Sequence, residues 1–178
     1  RKGDWTAVGM LLQESAFSLA SCGADFCVLP DNVAAHAAPL AEAKSPIPWL
    51  NMIDLVADAV IQDHRGSVGL LGTKTVSYGS IYQAVLGLRG VKVMAPPEDE
   101  AELIDRIIFD ELVFGRVMPA SRDRLLRSIE GLASRGCEGV IVGCTELPLL
   151  LNGLISPLPC YDAVELLASA AVSRATAG

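Results

Sequence analysis

Short apolar runs alternate with longer amphipathic stretches along this chain, and glycine, proline or a carboxylate stands at most of the junctions. Asp4 is placed to cap a helix from about Trp5 to Cys22, with Val8, Leu11, Leu12, Ala16 and Leu19 on one face and Gly23 as its stop. Phe26-Cys27-Val28-Leu29 reads as a buried strand. Pro30-Asp31-Asn32 breaks it, and a helix is expected over Val33 to Ala43. Trp49-Leu50-Asn51 is a short strand, followed by a helix from Met52 to Asp63. The order then repeats: strand Ser67 to Leu71, turn Gly72-Thr73-Lys74-Thr75, helix Tyr78 to Leu88, strand Val91 to Met94. Pro96 and Pro97 lead into a mixed-charge helix over Glu98 to Phe114, and another spans Ala120 to Arg135 before Gly136. A strand ending at Gly143 follows, and Asp162 is placed to cap a closing helix reaching about Ala175.

Strands alternating with helices imply βαβ units, parallel sheets and an α/β fold. A boundary falls near His64-Arg65-Gly66, where a new strand–glycine–helix series begins. It divides the chain into a first lobe of residues 1–65 plus 156–178 and a second lobe of 66–155. The closing helix is expected to pack back on the first.

The chemistry concentrates where the last strand of the second lobe ends. In Gly143-Cys144-Thr145-Glu146 a glycine lets the chain turn, and a thiol, a hydroxyl and a carboxylate follow. The carboxyl edge of an open α/β sheet is where ligands bind. A helix starting at once would aim N–H groups at Cys144 and favour its thiolate. The alternative is a buried structural cysteine in a strand-to-helix turn. The turn after Leu29 has the same grammar: a strand, polar Asp31 and Asn32, then a helix.

Composition narrows the class. The chain has 178 residues, of which 51% are hydrophobic and 5% aromatic, a mixture that suits helices packed on parallel strands. A net charge of −7 argues against a nucleic-acid surface, because phosphate contacts need clustered Lys and Arg. No apolar run approaches the roughly 20 residues of a membrane span, and no signal peptide is read. There are five cysteines without a C-x-x-C pair, and two histidines. Neither a disulfide framework nor a metal site is expected from them, and a cytoplasmic setting is. The sequence opens at Arg1 without a methionine and runs almost directly into a helix, so a preceding amino-terminal stretch is expected.

These residues resemble a known family. Gly143-Cys144-Thr145-Glu146-Leu147-Pro148-Leu149-Leu150 is similar to the second catalytic motif of the aspartate/glutamate racemase family, whose cousins include hydantoin racemase and arylmalonate decarboxylase. Gly3-Asp4-Trp5, Gly23-Ala24-Asp25-Phe26, Val68-Gly69-Leu70-Leu71-Gly72-Thr73 and Ile107-Ile108-Phe109-Asp110-Glu111-Leu112 follow in the family's order, so the resemblance covers almost the whole chain. It implies two pseudo-symmetric lobes with the active site in the cleft between them, no cofactor, and a first strand and glycine-rich loop upstream. Racemising an amino acid without a cofactor needs one group to take the α-proton and another to return one to the opposite face. Donors must also hold the carboxylate as charge develops. The family uses a cysteine on each lobe.

This chain departs from the family at the first motif. Where a cysteine, or in some members a threonine, precedes Asn-Thr, it has Pro30-Asp31-Asn32-Val33, and His36 stands one place later than the family's histidine. Val76, Asn51, Asp162-Ala163-Val164 and Leu167 replace other polar family residues, which makes the pocket more apolar. Asp31 is either a helix cap or the second acid/base group, and the two roles are compatible. Asn32 and Thr73 either close their turns or touch substrate. Thr145 is grouped with them as a substrate contact. Glu146 is a first-turn acid or a ligand group, and Lys74 attracts an anion or is merely solvated. Asp162 is expected to be a cap, His36 and His64 to lie on the surface, and Cys22, Cys27, Cys137 and Cys160 to serve packing.

The function implied is a cofactor-independent racemase or epimerase of an acidic or related amino acid, a cytoplasmic homodimer with Cys144 and Asp31 as opposed acid/base groups. Asn32, Thr73, Lys74, Thr145 and Glu146 would hold the small carboxylate substrate. One alternative is single-cysteine chemistry, in which Cys144 protonates a carbanion or enolate in a decarboxylase, isomerase or cyclase. Another is a binding homologue that has lost one base.

Overall fold

The computed structural model describes residues 3–177, so Arg1, where the sequence opens, lies outside the description. Helix α1 (Trp5–Ser21) is capped by Asp4, whose carboxylate accepts from the Ala7 N–H. Its packing departs from the expected face: Gly9 and Ala16 are buried, whereas Leu11 and Leu19 stand out in solvent. The cause is close approach. A Cβ added at Gly9 would lie 2.7 Å from the Cβ of Leu40, so α1 meets its neighbour through small residues and turns large ones away. That neighbour is a 3-10 turn at Ala34–Ala37 followed by α2 (Ala38–Glu42), two short pieces where one helix was expected. Pro39, the second residue of α2, lacks the N–H that would continue the preceding turn as one helix.

Strands β1 (Cys27–Val28) and β2 (Trp49–Leu50) pair in parallel as a small sheet, with Cys27 opposite Trp49. Asn51 is not strand but the cap of α3 (Met52–Gln62), accepting from the N–H groups of Ile53 and Asp54. The larger sheet contains β3 (Ser67–Gly72), β4 (Lys92–Met94), β5 (Gly139–Gly143) and β6 (Cys160–Asp162), all parallel, in the order β4-β3-β5-β6. From β3 the chain crosses to β4 through α4 (Lys74–Ser77) and α5 (Ile81–Leu88). It returns past β3 to β5 through α6 (Glu98–Arg106), a π-turn at Ile107–Glu111, a 3-10 turn at Leu112–Phe114 and α7 (Pro119–Ser134). Strand β6, reached through α8 (Pro148–Leu151), has no counterpart in the sequence reading. Although read as part of the first lobe, it pairs with β5 in the larger sheet. Helix α9 (Ala163–Thr176), capped by Asp162, lies mainly along α3.

Side chains of the larger sheet alternate between two cores. Val68, Leu70 and Ile141 meet Val56, Tyr82, Leu86 and Leu167 on one face, while Leu71, Val140 and Val142 meet Ile104, Leu125, Ile129 and Leu132 on the other. Burial on both faces is why these strands read as continuous apolar runs. Each such side chain contributes roughly 1.5–3 kcal/mol relative to exposure. Ala35 and Met52 join the first core, which ties the segment carrying the small sheet to the larger one.

The strand order also positions the site. The chain leaves β3 toward β4 on one side and comes back to β5 on the other, a topological switch that opens a crevice at the carboxyl ends of β3 and β5. Among the described residues, no helix is long and apolar enough to cross a membrane.

Candidate active site

Gly72 and Gly143 stand opposite each other as β3 and β5 end. A Cβ at Gly72 would lie 2.8 Å from the Gly143 carbonyl oxygen, so glycine is what lets the two strand ends close. Thr73 and Cys144 follow directly. From the small sheet, Asp31 and Asn32 follow the end of β1. The three turns enclose a cavity of about 210 Å³ lined by Asp31, Asn32, Thr73, Cys144, Thr145 and Glu146. Every site residue expected from the sequence lines it except Lys74.

Lys74 is withdrawn. Its Nζ lies 2.9 Å from both Glu98 Oε1 and Glu102 Oε1. Its backbone N–H donates to Asp105 Oδ1 at 2.7 Å. Glu102 and then Glu98 push its pKa up and hold it as an ammonium in that cage. Its next-door position to Thr73 suggested an anion site, but the acidic face of α6 claims it first.

Cys144 is 6% exposed, and its Sγ–H donates to Glu146 Oε2 at 2.9 Å. No long helix follows it. Residues 144–147 form a turn, and α8 begins only at Pro148 and lasts four residues. Backbone N–H groups of Glu146 and Leu147 do favour the thiolate. Burial outweighs them, and the Glu146 carboxylate adds to burial, so the Cys144 pKa rises from 9.0 to about 12. The thiolate expected from a helix dipole is therefore replaced by a protonated thiol. Burial also works against ionised Glu146, but hydrogen bonds from Cys144, from Thr145 at 2.6 Å and from the backbone prevail and lower its pKa. The resting pair is thus a thiol donor beside a carboxylate acceptor.

Asp31 caps its own turn: Oδ1 accepts from Val33 N at 2.8 Å and Ala34 N at 2.9 Å. Oδ2 makes no hydrogen bond among the described residues. Asn32 is 4% exposed. Its Oδ1 accepts from the Tyr82 hydroxyl at 2.6 Å, while its buried Nδ2 has no partner among the described residues. A buried amide donor without an acceptor costs roughly 1–3 kcal/mol, so this N–H₂ is a ready contact for a ligand oxygen. Burial pushes the Tyr82 phenol pKa up, with Asp162 adding to it, so Tyr82 remains a donor. Thr73 Oγ1 accepts from Val76 N at 3.4 Å and caps α4.

The apolar wall was only partly legible. Val33, Val76, Ile108, Phe109 and Val113 complete the cavity lining. The Ile107–Leu112 stretch has the pattern of ordinary helix, but the π-turn there brings Ile108 and Phe109 to the cavity. Such turns recur at functional sites. Tyr82, which holds Asn32, carried no signal beyond its place in an apolar helix. His36 is not a surface residue. It is half-buried, stacked on Trp5 with ring centroids 5.1 Å apart, and its Nδ1 lies 3.1 Å from the Val33 carbonyl oxygen.

The fold is α/β, with parallel sheets flanked by helices and polar turns converging where the larger sheet switches direction. Within that class the chain belongs to the Asp/Glu/hydantoin racemase family, whose sequence pattern matches residues 1–171. It is 32% identical over 155 residues to a glutamate racemase of Ectopseudomonas mendocina, covering 85% of this chain and 57% of that protein. The chain thus spans little more than half the length of such curated relatives. A crystal structure of a Yersinia pestis protein, described as a candidate Asp/Glu racemase, superposes with a TM-score of 0.90 at 35% identity, covering 98% of this chain and 76% of that one. An aspartate racemase homologue from Pyrococcus horikoshii gives 0.88 at 30% identity, with 99% and 77% covered.

Proposed function

We propose that this chain carries the active site of a cofactor-independent racemase or epimerase. It removes and returns the α-proton of an amino acid or related carboxylate, with Cys144 and Asp31 as its acid/base groups. One observation carries the reading: Cys144 and Asp31 leave different sheets and line one cavity. Family membership supports the reaction class. Asn32 Nδ2 and the Thr73 hydroxyl are the donors that meet the substrate carboxylate as it gains charge, while the Thr145 hydroxyl holds Glu146 at 2.6 Å.

The protonation states assign each group its starting role. Cys144 rests as a thiol, so it first acts as the acid, while the Asp31 carboxylate takes the α-proton from the other side. The step leaves the α-proton on Asp31 and a thiolate at Cys144, and that pair is the one from which the opposite enantiomer reacts, the thiolate taking its α-proton and Asp31 returning one. The two enantiomers are therefore expected to differ in kcat while kcat/KM stays equal, because they are equally stable. A homodimer and a cytoplasmic setting accompany this reading, and sedimentation tests the former.

A second reading, in which Cys144 alone protonates a carbanion formed otherwise, is favoured by one fact: Asp31 is exposed and already caps Val33 and Ala34. Solvent-deuterium incorporation at Cα over an amino-acid panel, with Cys144→Ser and Asp31→Asn, separates the readings. Loss in both variants supports the two-group reaction. Racemisation untouched by Asp31→Asn makes Asp31 a cap alone. Absence of exchange with every amino acid excludes the two-group reaction and leaves single-cysteine chemistry or a binding role.

A further inference from the structure

The cavity beside Cys144 continues into a larger one. Val33, Thr73 and Phe109 line both. The outer cavity has a volume of about 720 Å³ and extends over Trp5, Val8 and Leu11 of α1. Trp5 is stacked on His36, which gives this wall an aromatic anchor. The inner cavity sets a different condition. It holds two carboxylates, Asp31 and Glu146, beside the uncharged polar groups of Asn32, Thr73, Cys144 and Thr145, and Val33, Val76, Ile108, Phe109 and Val113 form its apolar wall. Lys74, the cation beside Thr73, is engaged by Glu98 and Glu102.

Resting on the reading that Cys144 works at a substrate α-carbon, we propose that the substituent on that carbon is apolar and bulky. It leaves the inner cavity past Val33, Thr73 and Phe109 and lies in the outer cavity against Trp5, Val8 and Leu11. The substrate class is an amino acid with a branched aliphatic, thioether or aromatic side chain. An ammonium group on the substrate suits Asp31 and Glu146. A second carboxylate on the side chain is repelled by both. An apolar side chain instead exchanges water for Trp5, Val8 and Leu11, and gains with each carbon buried.

The test uses the full protein with two separate readouts. Trp5 and Trp49 are the two tryptophans of the sequence, so a Trp49→Phe variant reports binding through Trp5 fluorescence alone. Cα deuterium exchange reports chemistry. Leucine, methionine and phenylalanine are expected to change Trp5 emission and to exchange at least about tenfold faster than aspartate or glutamate, the ratio that one or two pocket carbons give. Leu11→Asp, at an exposed position on the outer wall, is expected to weaken phenylalanine binding about tenfold more than alanine binding. Aspartate or glutamate exchanging as fast as the apolar acids overturns this substrate class and leaves the acid–base reading standing. A Trp5 response to apolar acids without exchange of any acid keeps the pocket assignment and sinks the chemistry. Silence of Trp5 toward the apolar acids, or indifference of phenylalanine binding to Leu11→Asp, overturns the inference itself.

Discussion

Cys144 Sγ lies 2.9 Å from Glu146 Oε2 and donates its proton to it, so the thiol at the end of β5 is masked rather than activated. Alkylation at neutral pH is expected to label exposed Cys22 and Cys160 well before Cys144. Glu146→Gln removes the neighbouring charge, lowers the thiol pKa and speeds labelling of Cys144 severalfold. Peptide mapping of the alkylated protein reads this directly. Unchanged Cys144 labelling in the variant shows that burial alone holds the proton.

The same pair makes stability depend on alkaline pH. The folded pKa of Cys144 is raised from 9.0 to about 12, so folding favours the neutral thiol. Its contribution is fully present below the unfolded value and is lost as pH rises from about 9 toward about 12. Cys144→Ser is expected to flatten the fall of the urea midpoint across that window. Parallel pH profiles of the two proteins would disprove the linkage.

Tyr82→Phe removes the one partner of Asn32 Oδ1, and both residues are buried. A loss of roughly 1–3 kcal/mol is expected, because the amide is then left unsatisfied at both ends. Urea unfolding reads the loss. Substrate KM should rise as well, since Asn32 is no longer fixed.

Gly72→Ala places a Cβ against the Gly143 carbonyl, which is backbone and cannot swing aside. The expected cost is roughly 1–3 kcal/mol, with a disproportionate fall in turnover because Thr73 and Cys144 move apart. Wild-type turnover in this variant would show that the strand ends tolerate the displacement.

Lys74→Met separates the sequence reading of that residue from the structural one. Its partners Glu98 and Glu102 are largely exposed, so the stability loss should stay within about 1 kcal/mol. KM is expected to be unaltered. A large rise in KM would return Lys74 to the site.

Much of this architecture is written in local pattern. Asp4, Asp31 and Asp162 were readable as caps because a cap is a matter of neighbouring residues. Val68 to Leu71 and Val140 to Val142 were readable as strands because burial on both faces leaves no polar position between. What escaped depends on distant partners. Leu11 fits an apolar helical face, and only the approach of Leu40 to Gly9 excludes it from the core. Cys160–Asp162 is too short to announce a strand without β5 beside it. The residues of the candidate site were legible through their turns and the family motif. Their protonation was not: a helix was expected to act on Cys144, and a neighbour two residues away acts instead.

Thr73 and Cys144 hang from strands whose backbone ladder runs unbroken from Val68 opposite Gly139 to Gly72 opposite Gly143. Asp31 hangs from a strand paired only at Cys27 and Val28. The two sides of the cavity therefore differ in stiffness. The Tyr82–Asn32 hydrogen bond is a cross-tie from the larger body of the protein to the turn that carries Asp31. Loosening that tie is expected to disturb the carboxylate side of the cavity before it disturbs the thiol side.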